Sequence, residues 1–232
     1  MPVDVVYGPA RVANYLGKLR GLALLFLVGL CAPATAQPAT GGVLAAPPPQ
    51  PDPKARYLFY LHGAIIEQSG RRPRHPRFGF YEYDAVLQAL QASGAVVISE
   101  QRPAGTAIAP YANVIRGQVE RLLKSGVPAS QIAIVGFSKG GFIVQRVSAQ
   151  LREPALRYVL LGACPRSGEA VPSLYGKVLA IRERSDSVPS CKTLLAHVQG
   201  EGRELEIAVG GEHGAFYRPN SAWLQPLLEF VR

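Results

Sequence analysis

Residues 131–140 read Gln131-Ile132-Ala133-Ile134-Val135-Gly136-Phe137-Ser138-Lys139-Gly140. The apolar, β-branched run at 131–135 predicts a buried strand, and residues 139–150 predict a helix. Ser138 therefore falls on a tight strand-to-helix turn. Such a turn holds a serine in a strained backbone conformation that exposes its hydroxyl, and small residues two before and two after it let the backbones pass closely. At the helix start the N–H of Lys139 is expected to point toward a developing oxyanion, where the helix dipole favours negative charge. A merely structural Gly-rich turn also satisfies Gly-x-Ser-x-Gly. The strand before it and the helix after it make the pattern more specific.

Working outward, short apolar runs predict further strands at residues 57–61, 95–99, 158–161, 177–181 and 205–209. Helical spacing lies between them: Tyr83, Val86, Leu87 and Leu90 within 81–92, then Val114, Ile115, Val119, Leu122 and Leu123 within 109–124. Residues 190–198 and 221–230 also predict helices. Regular alternation of buried strand and amphipathic helix implies an α/β architecture, a mostly parallel sheet of about six strands with helices on both faces. No internal repeat is present. Residues 54–232 make one domain of ordinary size.

The elbow and its setting resemble the α/β-hydrolase family across essentially all of residues 54–232. That resemblance implies a nucleophile, an acid and a histidine in that chain order. Ser138 fills the first place. For the acid, Arg182-Glu183-Arg184-Ser185-Asp186 follows the strand at 177–181, and Asp186 sits where the family presents its carboxylate; its role would be to orient and stabilise the imidazole. Glu183 is the nearby rival, and a turn cap or a surface pair with Arg182 or Arg184 is the alternative for Asp186. After the last strand, Gly210-Gly211-Glu212-His213-Gly214 reads as a flexible loop bringing His213 over the serine as general base. His62, His75 and His197 are its competitors. His62-Gly63-Ala64 resembles the family's His-Gly turn, so the N–H groups of Ala64 and Lys139 would form the oxyanion hole. The Lys139 ammonium is expected to point elsewhere. No metal and no organic cofactor is implied.

Substrate contacts are less sharply marked. The stretch between His62-Gly63 and the first predicted helix holds Glu67, the basic run Arg71-Arg72-Pro73-Arg74-His75-Pro76-Arg77, and Phe78-Gly79-Phe80-Tyr81, and it is expected to form a rim. Arg74, Arg77 and Phe137 are candidate substrate contacts. Arg102 is another, able to pair with a substrate carboxylate or else with Glu100 or Glu67. Only residues 162–176 follow the strand at 158–161, where many relatives carry a helical cap. An open pocket for a small or polymeric acyl substrate is expected.

Composition fixes the setting. The 232 residues are 48% hydrophobic and 18% charged, which excludes disorder throughout. The apolar run at 22–30 is too short to span a bilayer, but Arg11, Lys18 and Arg20 before it and Ala34-Thr35-Ala36 after it give the zones of a signal peptide at 1–36. Removing that segment lowers the formal net charge from +9 to about +7. Residues 37–53 are rich in Pro, Ala and Gly and read as a tether or disordered leader. Cys164 and Cys191 would remain, an even count suited to one disulfide bracing the acid loop, or else two buried thiols. No zinc spacing, RNA-binding strand or recognition helix supports nucleic-acid binding. The expectation is an exported, periplasmic or secreted serine hydrolase of esters, thioesters or amides, with no stable membrane span after cleavage and its oligomeric state open. The alternatives are an idle hydrolase fold binding an anionic ligand or envelope component, or an acyltransferase using the same residues.

Overall fold

The computed structural model describes residues 42–232, so the signal-peptide reading lies outside the described residues. The chain runs β1 (Tyr57–Leu61), α1 (Ala64–Ser69), β2 (Arg74–His75), β3 (Gly79–Phe80), α2 (Tyr83–Gln91), β4 (Val96–Ile98) and α3 (Ile108–Lys124). It continues through β5 (Ile132–Phe137), α4 (Lys139–Leu151), β6 (Arg157–Leu161), β7 (Tyr175–Glu183), α5 (Lys192–Leu195), β8 (Gln199–Ile207) and α6 (Ser221–Phe230). Six strands form one sheet in the order β4-β1-β5-β6-β7-β8, and every neighbouring pair is parallel. β2 and β3 pair antiparallel as a separate two-stranded ribbon.

The central strands are apolar on both faces because both faces are covered. Tyr57, Phe59 and Leu61 of β1 pack with Ile132 and Ile134 of β5 against Ile115 and Val119 of α3 and Val144 and Val147 of α4. Leu58 and Tyr60, with Ala133, Val135 and Phe137, point the other way, toward Ile66 of α1, Val86 and Leu90 of α2, and Trp223 of α6. Strand periodicity of two thus sorts the helices into two layers.

Strand order positions the site. From β1 the chain crosses to β4 on one side and returns through α3 to β5 on the other. The reversal lies at the β1/β5 boundary, where open parallel sheets form a crevice beyond the strand carboxyl ends. Leu61 is in register with Gly136, and Phe137 with Leu161, so the loops after β1, β5 and β6 emerge together.

Three expectations need correction. The last strand starts at Gln199, not Leu205, because its first half is a polar, exposed edge with no apolar alternation to mark it. The helix expected at 190–198 shrinks to Lys192–Leu195, because the N–H groups of His197 and Val198 bond only three residues back, to Leu194 O and Leu195 O, and Gln199 already enters β8. The Pro/Ala-rich leader is partly structural. Leu44 donates to Val97 O at 3.0 Å, accepts from Ser99 N at 2.7 Å and packs on the core, supplying backbone partners to the otherwise open edge of β4.

Candidate active site

The elbow adopts the strained geometry its sequence demands. Ser138 has φ 52° and ψ −120°, between the end of β5 and the start of α4, and its N–H is held by Leu161 O at 3.0 Å. A Cβ on Gly140 would lie 1.9 Å from Leu61 O, and one on Gly136 would lie 2.4 Å from the Gly140 backbone. Neither position admits a side chain. Gly141 approaches Ala163 just as closely.

The acid and histidine loops converge from the neighbouring strands. Asp186 follows β7 and His213 follows β8, and His213 Nδ1 lies 2.7 Å from Asp186 Oδ2. Asp186 is nearly buried, with Oδ1 accepting from Val188 N at 3.1 Å. Burial pushes its carboxyl upward, but the hydrogen bond and charge of His213, with nearby N–H groups, outweigh burial and hold it below its ordinary value. Glu183, the rival acid, does different work: it accepts from Ser185 N at 2.6 Å, from the Ser185 hydroxyl, and from Gly210 N at 3.2 Å. It ties the acid loop to the start of the histidine loop. That loop is a tight 3₁₀ turn over Glu212–Phe216, entered through left-handed residues at Gly210, Gly211 and Glu212.

Ser138, His213 and Asp186 line one open cleft of about 390 Å³, with Phe78, Phe142, Gly162 and Val188 among its walls. Phe142, one helical turn past Ser138, also bounds an adjoining cavity of about 290 Å³. Phe78 comes from the rim and contacts the histidine loop so closely that a Cβ on Gly214 would lie 2.5 Å from Phe78 Cβ. His75 shapes that rim, its Nδ1 accepting from Arg77 N and Phe78 N and its ring stacked on Phe78. Phe78 belongs to the stretch expected from the sequence to form a rim, whereas Phe142 is a cleft wall that the sequence reading does not name. Its spacing of four residues from Ser138, one helical turn, is the signal that marks it.

The Gly63–Ala64 turn lies against Ser138, since a Cβ on Gly63 would sit 3.6 Å from Ser138 Cβ. Ala64 opens α1 and Lys139 opens α4, so the N–H of each lies in a first helical turn, where the helix itself supplies no acceptor. His62 is buried; its Nε2 accepts from Arg102 N at 2.9 Å, while Nδ1 bonds Gly63 O at 2.9 Å. Desolvation and the Arg102 charge drive its pKa down to about 3, so it is a neutral scaffold residue and no base.

The candidate substrate contacts fall away from the cleft. Arg102 is buried and bonds Glu67 at 2.9 Å, closing an internal ion pair. Phe137 is buried beneath the histidine, ring centroids 4.8 Å apart, as support for the imidazole. Arg77 pairs with Glu212 within the histidine loop, and Arg74 is exposed on β2. Arg71 and Arg72 pair with Asp84 and Glu82, so the basic run is largely neutralised within its own surface. His197 is exposed. Cys164, in the cleft wall, forms a disulfide with Cys191, Cα atoms 4.9 Å apart.

No family model and no curated protein sequence matches the chain. Solved structures do. RedJ, a thioesterase from the prodiginine pathway of Streptomyces coelicolor, aligns at TM-score 0.54 and 13% identity over 84% of this chain and all of its own. A structure of the metagenome-derived lipolytic enzymes LipS and LipT aligns at TM-score 0.52 and 15% identity, over 82% of this chain and 99% of that one. An arylesterase aligns at TM-score 0.51 and 15% identity, over 76% and 74%. At such identities what is shared is the architecture, and the chain has a compact α/β-hydrolase fold.

Proposed function

We propose that the protein is an exported serine hydrolase, esterase-like, that cleaves an ester, thioester or amide through an acyl-enzyme on Ser138. The observation that carries this reading is one cleft lined by a strained Ser138 and by His213, whose far nitrogen is engaged by Asp186. Ser138 Oγ attacks the acyl carbon and His213 takes its proton. Asp186 holds the imidazole and stabilises it when charged, and the N–H groups of Ala64 and Lys139 receive the oxyanion. Collapse of the tetrahedral intermediate expels the leaving group, protonated by His213. Water, activated by the same histidine, then releases the acid.

An acceptor other than water would use the same residues, so product analysis with added alcohols or amines separates hydrolysis from transfer. Internal pairing of Arg71, Arg72 and Arg77 disfavours an idle fold that binds anions through the basic run. The Cys164–Cys191 disulfide is compatible with export, and among the described residues no helix is long and apolar enough to cross a membrane. The test is turnover of short p-nitrophenyl esters, acyl thioesters and anilides by the wild type and Ser138→Ala. Turnover that vanishes in the variant supports the reading, and turnover that survives it contradicts the assignment of Ser138.

A further inference from the structure

Glu67 lies on α1, three residues beyond Ala64, with its side chain almost fully buried. One carboxylate oxygen accepts from Arg102 Nε at 2.9 Å and the other from Lys139 Nζ at 2.6 Å. Arg102 in turn donates its backbone N–H to His62 Nε2 at 2.9 Å and a guanidinium N–H to His62 O. Residues at both ends of the proposed oxyanion hole are therefore joined through one carboxylate. Ala64 begins the helix that carries Glu67, and Lys139 is itself the second donor.

We propose that Glu67 is a positioning residue for the oxyanion hole: by gripping Lys139 and Arg102 it fixes the Gly63–Ala64 turn relative to the start of α4 and leaves one net positive charge behind the two N–H donors. The inference rests on the reading of Ser138 as nucleophile. Two cations share one anion, and Arg102 Nη1 is buried without a hydrogen-bond partner, so the positive charge is not fully discharged inside the cluster. A developing oxyanion would complete that balance. Stability alone does not account for the cluster, because buried ion groups are often replaceable by packed apolar side chains at no loss. Lys139 is the informative position, for it is partly exposed and can be changed without stranding a buried charge.

The experiment compares full-length wild type with Lys139→Met, Lys139→Arg and Glu67→Gln, with folding checked by circular dichroism. Phenylboronic acid is the probe of the tetrahedral state, and p-nitrophenyl acetate is the substrate. Lys139→Met keeps the backbone N–H and the aliphatic stem. It should lower kcat/KM by about tenfold to a hundredfold, raise the boronate Ki by the same factor and leave KM within about twofold. Lys139→Arg should recover most of the loss, and Glu67→Gln should share it wherever it folds. A Lys139→Met enzyme with wild-type kcat/KM and Ki overturns the proposal, as does a loss of kcat/KM with no change in Ki. Fluorophosphonate labelling of the wild type separates the two levels: a reactive Ser138 with an indifferent Lys139→Met refutes the positioning role alone, whereas an unreactive wild type refutes the nucleophile reading beneath it.

Discussion

His213 Nδ1 and Asp186 Oδ2 meet at 2.7 Å immediately beside Gly162, which follows β6 with φ +52°. A Cβ at that glycine would lie 3.3 Å from the Asp186 carboxylate and from two atoms of the His213 ring. Gly162→Ala adds both a left-handed alanine and pressure on the pair. Loss of about 1 kcal/mol of stability is expected from the backbone alone, together with a fall in kcat larger than that stability loss explains. Thermal melts and ester kinetics on the same preparation test this; unchanged kcat would show that the pair tolerates displacement.

Two acidic residues three positions apart, Glu183 at the end of β7 and Asp186 in the loop after it, have different jobs, and substitution should separate them. Asp186→Asn is expected to lower kcat by about 10⁴-fold, since the amide favours the wrong imidazole tautomer. Glu183→Gln weakens the bonds to Ser185 and Gly210 and should instead cost about 2 kcal/mol of stability, with a smaller change in kcat. If Glu183→Gln were the more damaging to kcat at full folding, the acid would be misassigned.

Stability should fall as the solution is acidified, in two stages. His62 is held neutral, its pKa depressed from 6.5 to about 3 by desolvation and Arg102. The unfolded chain therefore binds a proton that the folded chain refuses, and this contribution, complete above pH 6.5, is lost as pH falls toward 3. Asp186 and Glu183 are also held below their ordinary values, despite burial, by hydrogen bonds. Their contribution is present above the unfolded carboxylate range near about pH 4 and is lost below it. Denaturant unfolding at pH 7, 5.5 and 4 should show a decline already between 7 and 5.5. A flat profile there would contradict a neutral buried His62.

Cys164 and Cys191 close a loop of 27 residues that contains β7 and Asp186. Chain entropy makes such a closure worth about 3 kcal/mol. Paired melts with and without dithiothreitol should differ by roughly 10 °C for a domain of this size. Equal melting temperatures would mean that the bond constrains nothing that unfolds.

Much of this was legible in the residues. Alternating β-branched runs and 3.6-residue periodicity mark the core strands and long helices because burial imposes both patterns, and Gly136 and Gly140 mark the elbow around Ser138 because no Cβ fits at either glycine. Asp186 and His213 could be placed only through chain order after particular strands. What escaped had no periodic signature. The edge half of β8 is polar, α1 spans only Ala64–Ser69, and Leu44 joins the sheet through its backbone. Arg102 left two readings open in the sequence, a substrate carboxylate or an ion pair with Glu100 or Glu67, because a side chain's burial depends on a partner distant in sequence, and the structure pairs it with Glu67.

The proposed mechanism requires Ser138 to be an activated nucleophile. Incubation with a fluorophosphonate, followed by peptide mass spectrometry, tests it most directly, with Ser138→Ala and His213→Ala alongside. A single adduct is expected on the peptide containing Ser138, absent in Ser138→Ala and strongly slowed in His213→Ala. A folded wild-type protein that remains unlabelled, or that is labelled at another serine, would contradict it.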